Sequence, residues 1–486
     1  RGRFPQGMTT MENLNWWNSQ DGFFPYKWSL YSAGHASLDL NKLVKSEDMI
    51  RNRMSDTFML GDSGGFQIGK GKWEGDWRAN SGCPKADKKR KQVLTWLETL
   101  TDYAMILDIP TWIVREPAGM KATQITSHAE AVEATKFNNE YFINNRKGVK
   151  NGGTKFLNVL QGANHTDAEE WYETMKHYCD PAQYPDNHFN GWAMGGQNMC
   201  DVHLILRRLV ALRYDNLLQE GIHDWMHFLG TSKLEWATLL TDLQRAIRKH
   251  HNPTFTISFD CASPFLATAN GQIYYNVITE DRNKWSYQMQ PSVDNKKYAT
   301  DTRRFGDALL QDKIFDTFLE SPISERMQIK DVCVYKPGDL NKIGKEGKTS
   351  WDSFSYALQM GHNVWTHIHS VQEANRQYDA GKYPEMLVAT TTDKKTFRRY
   401  DRNFFRDIVD DIFATSDRGR ADELVEYYNR YWLSIIGTRG AVGKKTYNSS
   451  TVFNSLFEQD EPVVYQADDS GLDNSKLDNL EAEQDV

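Results

Sequence analysis

The chain has 486 residues and a formal net charge of −7, with 39% hydrophobic and 25% charged residues. This composition excludes collagen-like, wholly disordered and disulfide-scaffold proteins. No run approaches the ~18 consecutive apolar residues of a membrane helix, and residues 1–15 lack the apolar core of a signal peptide. We therefore expect a cytoplasmic protein without a membrane partner. Five scattered cysteines, with no CxxC pair, predict reduced thiols.

The net charge is unevenly distributed. Residues 458–486 contain ten acidic residues and one lysine, so this tail carries −9 and the rest of the chain carries +2. We expect the tail to be a disordered, solubilising segment. The nearly neutral body with local basic clusters favours a protein that binds a polyanion.

Short apolar runs alternate with helical spacing along the first 261 residues. The strand candidates are 57–62, 103–110, 155–162, 191–196, 225–230 and 254–261, and the helix candidates between them are 88–102, 126–146, 167–178, 200–220 and 232–250. The strands are too apolar to have a solvated face, which is typical of a parallel sheet covered by helices.

This alternation predicts parallel strands joined by right-handed crossovers, in either a doubly wound sheet or a (β/α)₈ barrel. A doubly wound sheet gathers its site at one switch point, whereas a barrel gathers it from all the strand ends. Polar residues and glycines end most of the strand candidates: Asp62, Asp108, Gln161, Gly195, Gly196, Gly230 and Asp260. The sequence therefore predicts a (β/α)₈ TIM barrel with insertions.

The predicted domain organisation has three parts. The barrel domain is 1–380, with its motifs in 55–280 and an insertion at about 281–350 that begins near a possible hairpin at 271–279. Helical spacing from Trp351 to Ala380 would close the barrel. A helix-rich, basic and aromatic region (381–457) and the acidic tail (458–486) follow.

The first motif is GDSGGFQIG, residues 61–69. GDSGG alone suggests a serine protease with Ser63 as nucleophile, but only His35 precedes it, the surroundings are α/β, and no disulfide framework is visible. The alternative is a carboxylate at a strand end, Asp62, followed by a glycine turn that lets the backbone approach a flat ligand. Phe66 would then supply a stacking face.

The second motif is SFDCASP, residues 258–264, which places Asp260 at another strand end. A single aspartate there is often a helix N-cap. Two carboxylates on different strands of one barrel face suit substitution at the anomeric carbon of a sugar, where one attacks and the other handles the proton.

A third set lies in LDIPTW (107–112), NVLQGAN (158–164) and GWAMGGQN (191–198). A carboxylate, an amide and exposed backbone N–H groups around one pocket match the hydrogen-bonding edge of a purine. Taken separately, Asp108 before a proline is also typical of a turn, and Gln161 of a satisfied strand end.

In order and spacing these segments resemble the tRNA-guanine transglycosylase superfamily, whose hallmarks are DSGGFQ or DSGGYQ followed by FDC. HFLGTSK (227–233) supports the resemblance, which covers roughly residues 55–280. It implies a (β/α)₈ barrel in which Asp260 is the nucleophile and Asp62 the general acid/base. The base-binding positions it implies are Ser63, Gly64, Gly65, Phe66, Asp108, Gln161, Gly195, Gly196 and Gln197.

The chain departs from that family in two places. The family's zinc site uses a C-x-C-x-x-C run and a later histidine, whereas only Cys333, His367 and His369 lie near the corresponding region here. We therefore expect no structural zinc, and the chemistry needs no cofactor. The segment ATANG (267–271) also lacks the family's arginine.

These departures favour a different polymer. Members of the superfamily from phages and bacterial modification clusters exchange guanine in DNA for a 7-deazaguanine, and the chain most resembles such an enzyme. DNA and a free 7-deazaguanine base are thus the expected partners, in the cytoplasm of the host if a phage encodes the protein. A tRNA-modifying enzyme and a non-catalytic, nucleic-acid-binding accessory subunit remain alternatives, and a protein partner or homodimer remains open.

Basic residues cluster after the DSGG turn and again in the C-terminal region. Such runs are often only solvated faces, but beside a base-exchanging site they favour contacts with phosphates. The predicted nucleic-acid-binding residues are Lys70, Lys72, Lys88, Lys89, Arg90, Lys394, Lys395, Arg398 and Arg399.

Overall fold

A computed structural model describes residues 4–429 except 6, 149–152, 283–284, 294, 334–352 and 393–398. The acidic tail, Lys394, Lys395 and Arg398 lie outside the described residues, as does the side chain of Arg399. Within the described ranges, no helix combines the length and apolar character that crossing a membrane requires.

The centre of the fold is a seven-stranded parallel sheet in which each strand pairs with the next one along the chain. Its strands are β1 (Trp28–Ser32), β2 (Phe58–Asp62), β3 (Tyr103–Met105), β4 (Lys155–Leu160), β5 (Gly191–Met194), β6 (Trp225–Phe228) and β7 (Thr256–Phe259). The predicted parallel α/β sheet is confirmed. Sequential order without a reversal is not the order of a doubly wound sheet.

The sheet curls into a half-barrel. Trp225, at the start of β6, contacts aromatic rings from the first three strands: its centroid is 4.8 Å from that of Phe58, 5.0 Å from Tyr103 and 6.0 Å from Trp28. A flat sheet would hold β6 three to five strand spacings of about 4.8 Å from these partners. The curl therefore brings distant strands together across one concave face.

Helices follow each strand from β1 to β6, and three of the helices described here begin with a side-chain cap. They are α1 (Asp48–Arg51), α2 (Gly65–Gly69), α3 (Pro84–Leu100), α4 (Pro117–Thr123), α5 (His128–Asn145), α6 (His165–Met175), α7 (Val202–Tyr214) and α8 (Leu234–His250). The side chains of Ser127, Asn164 and Asp201 each accept a backbone N–H at the start of α5, α6 and α7. The five helices predicted from spacing are present, with ends shifted by a few residues.

The third strand is shorter than predicted. The run 103–110 is strand only over Tyr103–Met105, after which the N–H of Asp108 donates to the carbonyl of Ile106 in a turn. Pro110 has no N–H with which to continue the ladder. Because the chain leaves the sheet here, Asp108 lies in a buried turn beyond the end of the strand.

Alternation along each strand sends two layers of side chains to the concave face. Phe58 and Asp62 have the same parity on β2, and Ser258 and Asp260 share one face at β7. The aromatic layer around Trp225 therefore lies at the N-terminal end of the strands, and the carboxylates lie at the C-terminal end.

A second apolar core lies beside the half-barrel. It joins Met8 and Phe24 to residues between Ile273 and Val364. The elements that contribute to it are β8 (Gln272–Ile278), α10 (Phe305–Gln311), α11 (Ile329–Val332) and α12 (Ser353–Asp379). The helix α9 (Ser263–Ala269) and the strand β9 (Ser286–Pro291), which pairs with β8 in an antiparallel hairpin, contribute residues to the core of the half-barrel. The hairpin predicted near 271–279 is confirmed, and helical structure follows residue 351 as expected.

The C-terminal elements are a second hairpin, β10 (Val388–Thr392) with β11 (Arg399–Phe404), and the helices α13 (Phe405–Ala414) and α14 (Arg418–Tyr427). Apolar residues of α13 and α14 belong to the same core as the half-barrel. The guanidinium of Arg213 donates to the carbonyl of Phe413 at 2.6 Å, and Lys249 pairs with Asp410 at 2.9 Å. These two helices thus form an outer layer on α7 and α8.

Candidate active site

Asp62 ends β2 at the C-terminal edge of the sheet and is half-buried. The hydroxyl of Ser32, which ends β1, donates to its Oδ2 at 2.6 Å. Burial raises the pKa of Asp62 above its usual value, as does the negative charge of Asp260, although the Ser32 bond opposes the shift. Asp62 is therefore suited to holding and releasing a proton.

Ser32 also joins Asp62 to a small polar network. Gln67 lies on α2. Its Oε1 is 3.4 Å from the Ser32 hydroxyl oxygen, and its Nε2 is 3.0 Å from Nε2 of His35. The N–H of Gly34 donates to the same hydroxyl at 3.1 Å. The loop after β1 and the DSGGFQ turn thus hold the Asp62 carboxylate from two sides.

Asp260 directly follows β7, and its side chain is 30% exposed. Its Oδ1 lies 2.8 Å from Nε2 of His227, a buried residue on β6, and accepts the N–H of Gly230 at 3.3 Å. The backbone carbonyl of Asp260 accepts the N–H of Thr231 at 2.7 Å. The loop after β6 therefore fixes the carboxylate while leaving it open to a ligand.

Asp108 and Gln161 form a buried pair beside Asp62. Nε2 of Gln161 donates to Oδ2 of Asp108 at 2.8 Å. Burial raises the pKa of Asp108 to about 7, with a further contribution from the charge of Asp62 and opposition from the Gln161 bond. The carbonyl oxygen of Gln161 is buried without a hydrogen-bond partner among the described residues.

Two glycines of the motifs let backbone approach this pair. A Cβ on Gly65 would lie 2.6 Å from the carbonyl oxygen of Asp108, and a Cβ on Gly195 would lie 2.6 Å from Nε2 of Gln161. Both distances are too short for a side chain. The DSGG turn and the loop after β5 are therefore packed directly on the Asp108–Gln161 pair.

The other predicted base-binding residues have distinct surroundings. Ser63 is buried, and its hydroxyl has no partner among the described residues. Gly64 precedes α2 and lies against Trp73, while Gly196 lies against the backbone of Gly162. The amide of Gln197 is not directed to the Asp108 pair, because its Nε2 donates to Asp201 at 2.8 Å.

The ring of Phe66 is half-buried and tilted against Trp112, with centroids 5.3 Å apart. The ammonium of Lys70 lies 4.9 Å from the Trp112 ring, 5.6 Å from the Phe66 ring and 3.3 Å from the carboxylate of Glu116. Lys70 is thus an exposed residue whose charge is already paired, and its predicted contact with a phosphate has to compete with Glu116.

Three other lysines, two exposed and one half-buried, form a cluster near the DSGG turn. Lys72 and Lys88 are exposed, and Lys89 lies 5.5 Å from the ring of Trp73, the residue packed on Gly64. Burial and the charges of Lys88 and Lys72 lower the pKa of Lys89. Within the part of the chain that the structure describes, the three residues of this cluster (Lys72, Lys88 and Lys89) form no ion pair, so the cluster places positive charge beside the candidate site.

Arg90 does not belong to that cluster, so its predicted phosphate contact is wrong. It is buried and donates to Asp87 and to Asn138, each at 2.6 Å. Its guanidinium also lies 4.8 Å from the ring of Phe137. It faces inward because it shares a helical stripe with Val93, Leu94 and Leu97, which are buried.

The residues near the family's zinc position each contact a different neighbour. Nε2 of His367 lies 3.3 Å from Sγ of Cys261, the thiol of Cys333 donates to the carbonyl of Asn295 at 3.3 Å, and the ring of His369 stacks on Trp365. Among the described residues, no group of three or more His, Cys, Asp or Glu side chains is placed to hold a metal ion.

Ser32, His227 and Ser258 are the site residues that the sequence did not single out. Ser32 lies on a strand that the pattern did not predict. His227 contributed to the sequence-based prediction only as part of HFLGTSK. Because His227 lies two residues after Trp225, the first residue of β6, its side chain must face the same side of the sheet. That parity was the available signal.

Comparisons of this chain with models of protein families and with curated proteins give no match. The candidate function therefore depends on the site itself.

Proposed function

We propose that the protein is a base-exchange glycosyltransferase that replaces guanine in DNA with a 7-deazaguanine through a covalent glycosyl-aspartate. The observation that carries the proposal is the meeting of three carboxylates from three strand ends at one edge of the half-barrel. The negative charge of Asp260 raises the pKa of Asp62, and the negative charge of Asp62 raises the pKa of Asp108. The three carboxylates therefore lie close enough to influence one another's protonation.

The proposed reaction has two displacements at the anomeric carbon. A carboxylate oxygen of Asp260 attacks this carbon, the bond to N9 of guanine breaks, and N9 receives a proton as guanine leaves. Asp62, whose raised pKa favours the protonated form, supplies this proton. It then accepts the N9 proton of the incoming 7-deazaguanine, whose nitrogen displaces Asp260. Two inversions give net retention and regenerate both aspartates.

Asp108 and Gln161 are the proposed recognition pair. An ionised Asp108 accepts hydrogen bonds from N1–H and N2–H of a guanine-like base, a donor pattern that adenine lacks. The buried carbonyl oxygen of Gln161 offers one further acceptor. The N–H groups of a guanine-like base would thus bond to two buried acceptors, the Asp108 carboxylate and the Gln161 carbonyl oxygen, whose bonding within the described residues is incomplete.

DNA is the proposed polymer because the chain lacks the C-x-C-x-x-C run, and the arginine in residues 267–271, of the family that it resembles. The chemistry at the anomeric carbon does not depend on a 2′-hydroxyl, so the residues around the site must select the polymer. The lysine cluster beside the DSGG turn can follow a phosphate backbone. The target nucleotide must leave the helix, since its anomeric carbon has to reach Asp260 and its base edge has to reach Asp108.

We also propose that the curled sheet belongs to a complete (β/α)₈ barrel. The sequential strand order and the aromatic contacts across the concave face support this proposal. Both edge strands, β1 and β7, are mostly half-buried, which suits edges that still pack against further structure.

Nucleoside mass spectrometry tests the function. Purified protein is incubated with a 7-deazaguanine and, separately, with plasmid DNA and bulk tRNA, and the polymers are digested to nucleosides. We expect the modified base in deoxynucleosides and none in ribonucleosides. Modified ribonucleosides alone would assign the enzyme to tRNA, and no incorporation in either polymer would favour an accessory subunit. The Asp62→Ala variant, which should bind nucleic acid but not exchange bases, is the matched control.

A further inference from the structure

A line of hydrogen bonds runs from the aromatic layer to Asp260. The indole Nε1 of Trp225 donates to Oγ of Ser258 at 2.8 Å, Ser258 Oγ lies 2.8 Å from Nδ1 of His227, and Nε2 of His227 lies 2.8 Å from Oδ1 of Asp260. His227 and Ser258 are directly paired across β6 and β7. Strand register therefore builds this line.

The chemistry of the two ends sets the direction of every bond. An indole N–H only donates, and an ionised carboxylate only accepts. A neutral His227 must therefore carry its proton on Nε2 and accept at Nδ1. Ser258 then accepts from Trp225 and donates its own proton to His227, so that every donor in the line has an acceptor.

We propose that His227 is the positioning residue of the nucleophile, held in its Nε2–H tautomer by Ser258 and Trp225. This inference rests on the proposed function of Asp260. His227 is 1% exposed, so it acts through Asp260 and does not touch the substrate.

The geometry also assigns the attacking atom. Among the described residues, the hydrogen bonds to the Asp260 carboxylate come from His227 and from the N–H of Gly230, and both go to Oδ1. Oδ2 is therefore the oxygen that forms the bond to the anomeric carbon. When the incoming base displaces Asp260, negative charge returns to the carboxylate, and the two donors on Oδ1 stabilise that charge as it develops.

Substitutions of His227 distinguish the effect of its N–H donor from the effect of the volume of its ring. His227→Phe keeps an aromatic ring without an N–H, and His227→Gln keeps a terminal N–H at similar reach. His223→Phe is the control, because His223 is buried on the N-terminal side of the same strand and bonds only to backbone there. We expect His227→Phe to lower kcat about 100-fold, as loss of one donor to a developing charge does, with KM nearly unchanged.

His227→Gln should recover a large part of that loss, and folded His223→Phe should exchange bases at the wild-type rate. Equal kcat in His227→Phe and the wild type would overturn the inference while leaving base exchange intact. A wild-type protein that exchanges no base into any polymer would overturn the proposed function and the inference with it.

Nitrogen-15 NMR of histidine-labelled protein tests the inference without measuring activity. Because it uses the wild type, it still applies if the His227→Phe variant does not fold. The His227 signals, assigned by their loss in His227→Gln, should show a pyridine-like Nδ1 and a pyrrole-like Nε2. Ser258→Ala, which removes the donor to Nδ1, should mix the two tautomers. A pyrrole-like Nδ1 in the wild type, or two protonated nitrogens, would contradict the assigned direction.

Discussion

Nε2 of Gln161 donates to Oδ2 of Asp108 across 2.8 Å, while the carbonyl oxygen of the same amide is buried without a partner among the described residues. A buried acceptor left unbonded costs about 1–3 kcal/mol. A ligand that brings its own donors would remove this cost, and the proposed guanine-like base has such donors.

Asp108→Asn should stabilise the protein at alkaline pH. The folded pKa of Asp108 is about 7 against an unfolded value near 3.8. The folded state thus holds the proton more tightly, and stability falls as the pH rises from about 4 to about 7 and then levels off. The total effect is on the order of 4 kcal/mol for a shift of this size.

Thermal unfolding from pH 4 to 9 measures this effect. The wild type should lose stability over that window relative to Asp108→Asn, whose profile should be flatter. A variant that is less stable than the wild type at pH 8 would contradict the assigned burial of an ionisable Asp108.

Guanine binding should weaken as the pH falls below about 7. Only ionised Asp108 accepts both N1–H and N2–H, and its pKa of about 7 makes the ionised fraction fall about tenfold per pH unit below that value. Isothermal titration with guanine between pH 5.5 and 8.5 measures the slope. Constant affinity over this range, or equal binding of adenine, would show that Asp108 does not read the base.

Gly65→Ala should abolish base binding while the protein still folds. The Cβ of an alanine here would lie 2.6 Å from the backbone carbonyl oxygen of Asp108 and 3.1 Å from its Oδ1, so Asp108 or the turn must shift. The strain should cost about 1–3 kcal/mol of unfolding free energy. Gly75→Ala is the control, because its nearest neighbour would lie 3.4 Å away. Normal guanine affinity in Gly65→Ala would contradict the packing of the turn on Asp108.

Lys88→Ala and Arg90→Ala should fail in different ways, although the two residues are close in sequence. Lys88 is exposed, so its loss should weaken DNA binding and reduce the salt slope by about one. Arg90 is buried and bonded to Asp87 and Asn138, so its loss should lower the unfolding free energy by about 2–3 kcal/mol. DNA titrations over several salt concentrations and denaturant melts separate these effects. Unchanged stability in Arg90→Ala would show that its buried contacts contribute little.

Strand-end carboxylates were the part of the site that the sequence could predict. Asp62 and Asp260 each follow an apolar run, and parallel strands present their C-terminal ends at one edge. Asp108 was also a predicted site residue, although the predicted strand before it was too long. A run of apolar residues does not show where the chain leaves a sheet.

The remaining differences have physical causes in single residues. Strand β1 is a short, half-buried segment in a region crowded with aromatics, so its alternation gives little signal. Arg90 was taken from a run of positive charges, whereas its spacing from Val93, Leu94 and Leu97 already placed it on the buried stripe of α3. His227 acquires a role only through its partners on β7, which lie about thirty residues away.

The proposed mechanism requires Asp260 to form a covalent bond to the sugar. Mass spectrometry of the acid-quenched protein, mixed with a DNA oligonucleotide in the absence of any incoming base and then digested, tests this claim directly. We expect the peptide containing Asp260 to carry a base-free deoxyribosyl phosphate adduct on that residue and the Asp260→Asn variant to carry none. An adduct on Asp62, or guanine exchange by Asp260→Asn at the wild-type rate, would contradict it.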